Sequence, residues 1–301
     1  DGQGGVIVVF EWEGENGDMD VMAQHISASG EVLWNEGKRA TDIAATDNPE
    51  RRPAAISDGA GGVIVAFEFE YAAGEHKGDV DIMAQHLSGD GKLLWSRAKD
   101  VCTAKGLERR PVAVSDGMGG VIVACEYEPT QGENAGDTDV MAQRLNSQGE
   151  MMWNQGDRSA IVSSGKFQER IPRALATSDG GAIFVFEVEA RTGEEAGNVD
   201  VMAQRLSATG EMMWNQGDRS ATVCTSRWQE TGPIVLPDGA DGAIAVLTMV
   251  GPKGEFEGDE DVDATRLAAD GTLSWHEGKK PVDIAAGEAL ERNPCAVIVA
   301  N

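Results

Sequence analysis

The sequence predicts an all-β fold, a five-bladed β-propeller with four antiparallel strands in each blade. The first observation is a repeat: five tryptophans recur at intervals of 61, 58, 61 and 61 residues, each at the end of a GEVLW-like segment. They are Trp34, Trp95, Trp153, Trp214 and Trp275. The second is composition, because 38 glycines and 41% hydrophobic residues are typical of many short strands joined by tight turns. A fixed period of several tens of residues indicates a repeat architecture.

Each repeat contains four apolar runs, which we interpret as four strands. A PAAIS-like run precedes a DGxGG turn, a GGVIVVFEWE-like run follows it, and a DVMAQHI-like run comes after an acidic loop. Asp58, Gly59, Gly61 and Gly62 have the chemistry of a tight reversal. Gly91 is placed to make another reversal, so the segment that ends in Trp95 is predicted to be the last strand. Such meanders bury both faces when they stack radially.

The two ends of the chain predict a closed ring. The chain begins at a DGxGG turn and finishes with Pro294 to Val297, a first strand with no following repeat. We expect this strand to complete blade 1 beside Val6 to Glu13, and we expect the chain to be a processed product or part of a longer protein. The blades of this single predicted domain are 1–48 with 291–301, 49–106, 107–167, 168–228 and 229–290.

Charge and cysteine content limit the function classes. The chain has 51 acidic and 25 basic residues, a formal net charge of -26, and this field repels nucleic acid and anionic lipid. No apolar run reaches the length of a transmembrane helix. The four cysteines form no CxxC pair, so neither a zinc site nor a dense disulfide framework is predicted. We expect an extracytoplasmic protein, either secreted, periplasmic or on the cell surface.

Glutamates and arginines recur on one predicted face. Glutamate pairs end the second strand of four repeats: Glu11 and Glu13, Glu68 and Glu70, Glu126 and Glu128, Glu187 and Glu189. Arginines of ERxP-like segments precede the first strand: Arg51, Arg109, Arg170 and Arg292. The fifth repeat has Thr231 and Thr248 instead, and this joint loss favours structural Arg/Glu pairs. The alternatives are a pocket for cations or basic ligands and, less favoured because the copies are near-identical, catalytic carboxylates.

The loops between the second and third strands are acidic, and each ends in an Asp/Asn-x-Asp pair. The candidate ligand residues are Asp18, Asp20, Asp79, Asp81, Asp137, Asp139, Asn198, Asp200, Asp259 and Asp261. Clustered oxygen ligands beside glycine suit calcium, so calcium is a candidate ligand, and no other cofactor is predicted. The alternative is that these aspartates cap turns through the local backbone.

Other recurring side chains are interpreted as structural. Methionine and glutamine at fixed places of the third strand, such as Met22 and Gln24, are expected in the core and ladder. His25 and His86 align with arginines of the later repeats, which suggests a solvated cationic position. His76 has no partner that the sequence brings near it.

The string DVMAQRLNSQGEMMWNQGDRSA and its near copy DVMAQRLSATGEMMWNQGDRSA resemble the D-x-x-A-Q-x-x-x-x-x-G-x-x-x-W repeats of large secreted bacterial propeller proteins. The resemblance covers all five repeats. It implies export and a surface or complex-associated role, and it implies no catalytic residue. Five-bladed propellers also include lectins and glycoside hydrolases, a likeness of architecture alone.

Three functions are compatible with these features. The preferred hypothesis is a non-enzymatic binding or scaffolding propeller that docks a protein partner through its acidic loops. The second is a lectin-like module, in which Trp12 and Trp228 stack on sugar rings. The third is a five-bladed glycoside hydrolase. An asymmetric contact is expected first in the fifth blade, around Thr231, Thr248 and Asp263.

Overall fold

A computed structural model describes residues 1–14, 17–193, 196–217, 220–252, 258–278, 281–285 and 290–299. The chain divides into two compact units, Asp1–Gly136 with Met141–Ala160 and Asp137–Val140 with Ile161–Asn301. Within the described ranges, no helix is long and apolar enough to cross a membrane.

The first unit is built from strands and short turns. Its strands are β1 (Val6–Glu13), β2 (Met19–Ile26), β3 (Thr41–Ala44), β4 (Glu50–Ser57), β5 (Val63–Glu70), β6 (Val80–Leu87), β7 (Lys99–Cys102), β8 (Leu107–Ser115), β9 (Val121–Glu128) and β10 (Asp139–Leu145). Strand β10 starts in the residues assigned to the second unit. Short 3-10 turns of four residues each lie at Trp34–Gly37 and Trp153–Gly156.

The second unit repeats the same elements. Its strands are β11 (Ala160–Ser163), whose first residue belongs to the first unit, β12 (Gln168–Ala176), β13 (Ala182–Glu189), β14 (Val199–Leu206), β15 (Ala221–Cys224), β16 (Gln229–Pro237), β17 (Ala243–Val250), β18 (Glu260–Leu267) and β19 (Val282–Ala285). Further 3-10 turns lie at Trp214–Gly217 and Trp275–Gly278.

The strands form antiparallel meanders, which confirms the predicted all-β class. The orders β4-β5-β6-β7, β12-β13-β14-β15 and β16-β17-β18-β19 give four strands each, and β1-β2-β3 gives three. A single parallel pair, Val80 with Leu107, joins β6 to β8. Residues 294–297 form no strand within the described part of the chain. Ring closure and the number of blades therefore remain predictions.

The second strand of the repeat is the most deeply buried element. Val63 to Phe67 of β5 and Val121 to Cys125 of β9 are buried at every position. Burial on both faces explains their continuous apolar sequences, because neither face of such a strand meets water. Strand β1 differs, since Val8 and Trp12 are 41% and 46% exposed.

The predicted last strand is wrong, because the outer strand begins beyond the tryptophan. The segment before Trp34 makes one isolated bridge, Ile26 with Val32, and the chain then enters the 3-10 turn. Gln24 explains this: its Oε1 accepts the Trp34 N–H at 3.0 Å and its Nε2 donates to the Arg39 carbonyl at 2.9 Å. The Gln24 side chain hydrogen-bonds to backbone groups that a neighbouring strand would otherwise use. Strand β3 therefore begins further along the chain, after the turn.

The tryptophans connect consecutive repeats. Trp34 Nε1 donates to the Gly89 carbonyl at 2.9 Å in the first unit, and Trp214 Nε1 donates to the Ala269 carbonyl at 3.0 Å in the second. Both rings are almost fully buried. Each buried indole therefore packs against the next repeat, and a backbone carbonyl of that repeat accepts the hydrogen bond of its N–H group.

Candidate functional site

The recurrent arginines and glutamates meet across the first two strands of a repeat. Arg51 is the backbone partner of Glu68, and Thr231 is the backbone partner of Thr248 in the repeat that lacks both charges. The side-chain ion pair, however, is made by the next residue, Arg52, whose NH1 lies 3.2 Å from Glu68 Oε1. The same one-residue difference holds for Arg110 with Glu126, while Arg109 is exposed.

A β-bulge causes this difference. The register shifts between Arg51 and Ala54, and Arg52 has a left-handed φ of 49°. The bulge turns the Arg52 N–H toward the preceding repeat, where it donates to Glu11 Oε1 at 2.6 Å. Bulges commonly redirect side chains in this way.

The same carboxylate-to-bulge contact recurs. Glu68 accepts the Arg110 N–H at 2.8 Å, and Glu187 accepts the Gly232 N–H at 2.8 Å. Arg170 keeps its predicted place, with NH2 at 2.6 Å from Glu189 Oε2. Arg292 NH1 lies 3.8 Å from Glu260, which is outside the predicted set. Glu13, Glu70 and Glu128 end their strands at the register positions opposite Met19, Val80 and Leu107.

A second row of acids was not singled out from the sequence. The glutamate before each arginine is buried: Glu50, Glu108 and Glu230 are 0% exposed and Glu169 is 3% exposed. Burial raises their pKa values, to about 7 for Glu50, about 9 for Glu108, about 8 for Glu169 and about 7 for Glu230. In the sequence, the feature that could have indicated their burial is their position beside the apolar run of the first strand.

These glutamates face the second aspartates of the Asp/Asn-x-Asp pairs. Asp20 interacts with Glu50, Asp81 with Glu108, Asp139 with Glu169, and Asp200 with Glu230. Burial and the neighbouring Asp18 and Asp42 raise the pKa of Asp20. Each of these four aspartates therefore forms a carboxyl pair with a buried glutamate of a neighbouring strand.

The first aspartates lie in the loops. Asp137 accepts the Gln168 amide at 3.2 Å, and Asn198 donates to Asp200 Oδ1 at 2.9 Å. Asp18 and Asp259 offer their carbonyls to Gly14 and Gly251. Residues 15–16, 194–195 and 253–257 of these loops lie outside the described residues. Among the described side chains, no group of three or more acids, histidines or cysteines could hold a metal ion, and calcium binding stays a prediction.

Trp228 lines a cavity among the described residues of the second unit, with a volume of about 610 Å³. Its loop is held by Ser226, whose hydroxyl accepts the Trp228 N–H at 3.0 Å and donates to Glu230 at 2.6 Å. The same turn occurs at Thr46 and Glu50, so the turn is structural and the tryptophan is the variable part. We name this space the Trp228 cavity.

Three aspartates face the Trp228 cavity: Asp261, Asp263 and Asp283. Asp263 and Asp283 are direct cross-strand partners on β18 and β19, and Asp261 lies two residues away on the same face of β18. Asp263 is 7% exposed. At its place the other repeats have Met22, Met83, Met141 and Met202. The fifth repeat thus carries the asymmetric feature expected there.

A smaller cavity of about 400 Å³ lies in the first unit, and we name it the Tyr71 cavity. Tyr71 Oη donates to Asp81 Oδ2 at 3.0 Å, and His76 Nδ1 lies 3.5 Å from Asp79 Oδ2. The Tyr71 and His76 rings have centroids 5.4 Å apart. The expectation that His76 has no partner is therefore wrong, because the loop folds back onto its own strand ends.

The electrostatics of the Tyr71 cavity are unusual. Burial, with the nearby Asp100 and Asp79, raises the pKa of Asp81 to about 6. Burial and the hydrogen bond to Asp81 raise the pKa of Tyr71 to about 12. Tyr71 is thus a neutral hydrogen-bond donor, and Asp81 changes charge in the weakly acidic range.

Two other sequence-based expectations differ from the structure. His25 and His86 are 8% and 6% exposed, so they do not occupy solvated positions. Each imidazole is instead paired with the aspartate of a DGxGG turn. Trp12, the other predicted sugar-stacking residue, lies on the exposed strand β1.

No protein-family model matches the chain, and no curated protein matches it in sequence. Similar folds occur among solved structures. A polysaccharide lyase of family PL25, an ulvan lyase, superposes with a TM-score of 0.53 at 13% identity, covering 93% of this chain and 69% of that chain. The lyase bound to -[GlcA(1-4)Rha3S]- gives a TM-score of 0.50 at the same identity and coverage.

A protein of unknown function from Dyadobacter fermentans gives a TM-score of 0.52 at 10% identity, covering 94% of this chain and 80% of that chain. At these identities the likeness shows the fold alone. The preference for a non-enzymatic scaffold is nevertheless wrong on this comparison, because a similar structure with a stated activity is a polysaccharide lyase. The prediction that the chain is not an enzyme is corrected with it.

Proposed function

We propose that this protein is an enzyme that hydrolyses glycosidic bonds of a glycan in the Trp228 cavity. The observation that carries the proposal is the group of three aspartates, Asp261, Asp263 and Asp283, which strands β18 and β19 bring together beside an aromatic side chain. The polysaccharide lyase of similar fold supports a glycan substrate.

The cavity suits a sugar in size and in chemistry. A volume of about 610 Å³ is within the usual range for small-molecule sites. Trp228 is half-buried, with Met249 and Leu273 in the same lining, so an aromatic and apolar wall faces the carboxylates. A sugar ring has one apolar and one hydroxylated surface, and this cavity offers a partner for each.

The aspartates are poorly explained by stability. Like charges directly opposite each other in a sheet are destabilising, and Asp263 faces Asp283 in this way. The other repeats avoid the conflict with methionine at the place of Asp263. A destabilising pair of facing acids that occurs in a single repeat and lines a cavity is typical of a functional site.

Hydrolysis fits these residues better than elimination. Glycoside hydrolysis needs one carboxylic acid to protonate the leaving oxygen and one carboxylate to stabilise the developing positive charge or activate water. Elimination from a uronic acid requires positive charge beside the substrate carboxylate. The described lining of the Trp228 cavity contributes carboxylates and no basic side chain.

The test is release of reducing ends from a panel of polysaccharides, which includes neutral, amino-sugar and uronic-acid polymers, by the wild type and by Asp263→Met. Methionine is the residue of the other repeats, so the variant should fold, which its thermal unfolding curve checks. We expect kcat to fall by about 10²–10⁴-fold, the usual contribution of an acid or base. The matched control is Asp42→Asn, which changes the counterpart of Asp283 in the first repeat and should leave kcat unchanged.

Two results would contradict the proposal. Full activity of a folded Asp263→Met variant would remove the site from the reaction. An unsaturated product that absorbs in the ultraviolet would indicate elimination in place of hydrolysis.

We further propose the finer architecture on which the blade assignment depends, a closed five-bladed ring in an extracytoplasmic protein. Five tryptophan-marked repeats and the four-stranded meanders support it. A cysteine introduced at Val8 should form a disulfide with native Cys295 or with a cysteine at Val297 if the ring closes. Failure of both pairs under oxidising conditions would argue against closure.

A further inference from the structure

The Tyr71 cavity has features that the proposed hydrolysis does not use. Tyr71 and His76 belong to this loop alone, since the other repeats have Gly14, Pro129, Ala190 and Gly251 at the place of Tyr71. The Tyr71–Asp81 hydrogen bond and the Tyr71–His76 ring contact join the loop to strand β6. Phe69 packs against the tyrosine in a T-shaped contact, with ring centroids 5.0 Å apart. The aromatic wall is therefore held in place before any ligand binds.

Negative charge is in excess in this cavity. Its lining contains the carboxyl groups of Glu75, Asp79, Asp81 and Asp100, with Lys105 and His76 as the basic side chains. Asp81 is 7% exposed, and the neighbouring carboxylates oppose its ionisation. A bound cation would relieve this repulsion, since an opposite charge within a few ångströms favours the ionised acid.

Glu108 is buried at the adjoining strand junction and interacts electrostatically with Asp81. Burial raises its pKa to about 9, so it is a neutral acid at neutral pH and adds no charge to the cavity. The negative charge comes from the carboxyl groups of the lining itself, and these favour a group that brings both positive charge and N–H donors. That is the demand which the cavity makes on a ligand.

An organic ammonium group meets that demand better than a metal ion. No set of three or more acids, histidines or cysteines is arranged around a metal position in the described part of the chain. A neutral tyrosine ring attracts cations through its face, and carboxylates accept the N–H bonds of an ammonium group. Aromatic and acidic groups together are typical of amine recognition.

We propose that the Tyr71 cavity binds the ammonium group of an amino sugar with a free amine, through Asp81 and Asp100 beside the Tyr71 ring. The sugar identity rests on the proposed function, whereas recognition of the ammonium group follows from the cavity itself. The glycan that this protein binds would accordingly carry free amino groups, which also suits a chain of net charge -26.

Isothermal titration with D-glucosamine tests the proposal, with N-acetyl-D-glucosamine as the uncharged counterpart, at a pH at which the amine is protonated. We expect heat of binding from glucosamine and none from the acetylated sugar. Asp100→Asn should weaken binding by about tenfold, the effect of losing one close ionic partner. Lys105→Met, at an exposed position, should strengthen binding because it removes a competing positive charge.

The matched control is Asp42→Asn, the counterpart of Asp100 in the first repeat, which should bind glucosamine as the wild type does. Asp263→Met should lower kcat for hydrolysis and preserve glucosamine binding, so the two proposals can fail independently. Equal binding of both sugars, or unchanged affinity in both Asp100→Asn and Lys105→Met, would overturn the ammonium site. Calcium binding that depends on Asp100 without glucosamine binding would replace it by a metal site.

Discussion

His86 Nε2 lies 2.9 Å from Asp58 Oδ2, and both side chains are less than a tenth exposed. The equivalent position of the next repeat is Arg144 with Asp116, at 3.0 Å. Asp58 also accepts the N–H groups of Ala60 and Gly62 through Oδ1, so its carboxylate holds both the glycine turn and the imidazole. The turn and the third strand are therefore connected by one carboxylate.

Loss of the imidazole should destabilise this junction more than its replacement by a guanidinium. His86→Ala leaves the buried Asp58 Oδ2 without its hydrogen-bond partner, and we expect a loss on the order of 3 kcal/mol. His86→Arg recreates the arrangement of Arg144 with Asp116 and should stay within about 1 kcal/mol of the wild type. Urea unfolding at neutral pH measures both.

The stability difference between His86→Ala and wild type should also depend on pH. Burial raises the pKa of Asp58, but the hydrogen bonds from His86 and from the turn lower it more, and the net direction is down. A lowered pKa stabilises the fold above the unfolded-state value of about 3.9, and this stabilisation disappears as pH falls through the folded-state value. The difference between His86→Ala and wild type should therefore shrink in acid. A constant difference down to low pH would contradict the pairing.

Glu108 should make stability decline at alkaline pH. Burial, then the neighbouring Cys102 and Asp81, raise its pKa to about 9, so the folded protein holds a proton that the unfolded chain releases. Stability from such a group is complete below the unfolded pKa of about 4.3 and is lost as pH rises to about 9. Glu108→Gln cannot ionise and should be more stable than wild type at pH 9, by on the order of 2 kcal/mol.

The pH profile of Glu108→Gln should also be flatter than that of the wild type. It should not become flat, because Glu169 has a pKa raised to about 8 and contributes in the same direction. Glu31→Gln, at an exposed position of a turn, is the control and should follow the wild-type profile. Parallel profiles for wild type and Glu108→Gln would show that the glutamate ionises without cost.

A comparison of alanine substitutions at Gly271 and Gly59 separates the energetic effect of backbone conformation from that of tryptophan packing. Its φ is 85°, and an added Cβ would lie 2.7 Å from the Trp214 ring. Gly59 has a similar φ of 77° with nothing within 4 Å of an added Cβ. Gly59→Ala should therefore cost about 1–2 kcal/mol, from the left-handed conformation alone.

Gly271→Ala should cost an additional 1–3 kcal/mol or so, because the ring or the turn must move. Thermal unfolding of the two variants under identical conditions provides the comparison. Equal losses of stability would mean that the Trp214 ring can move away from an added Cβ at no cost, which would contradict its close packing against the next repeat.

The repeat and its turns could be predicted because they depend on local signals. Glycine at Gly59 and Gly62, the tryptophan period and the alternation of apolar runs determine where strands start and reverse. The joint replacement at Thr231 and Thr248 correctly identified cross-strand partners, since these residues are opposed in register. The ion pair itself fell on Arg52, because a bulge changes side-chain direction without leaving a mark in the composition.

The candidate sites could be predicted less well, for two physical reasons. The Tyr71–His76 contact depends on the path of a loop whose ends are fixed by distant strands, so proximity in sequence did not reveal it. The buried glutamates could not be distinguished from the exposed arginine beside them, because burial depends on the next strand along the sheet. Asp263 was identified because it breaks a repeated pattern, and such a break is visible in one sequence.

Gln143 provides the sharpest test of why the last strand lies beyond the tryptophan. This residue is 0% exposed, and its Oε1 accepts the N–H groups of Trp153 and Arg144, each at 2.9 Å. Its Nε2 donates to the Arg158 carbonyl at 2.9 Å. Gln143→Leu has a similar volume but leaves buried backbone groups without partners, at about 1–3 kcal/mol each. We expect a total loss of more than 3 kcal/mol and a red-shifted tryptophan emission as the Trp153 turn opens.

Gln143→Glu discriminates between the two halves of this contact. The carboxylate can still accept both N–H groups but cannot donate to Arg158, so its loss of stability should be intermediate at neutral pH and should decrease in acid as the carboxyl regains a proton. Gln148→Leu, at an exposed turn position, is the control and should change stability by less than about 0.5 kcal/mol. If Gln143→Leu were as stable as this control, the hydrogen bonds of the glutamine would not be what positions the outer strand.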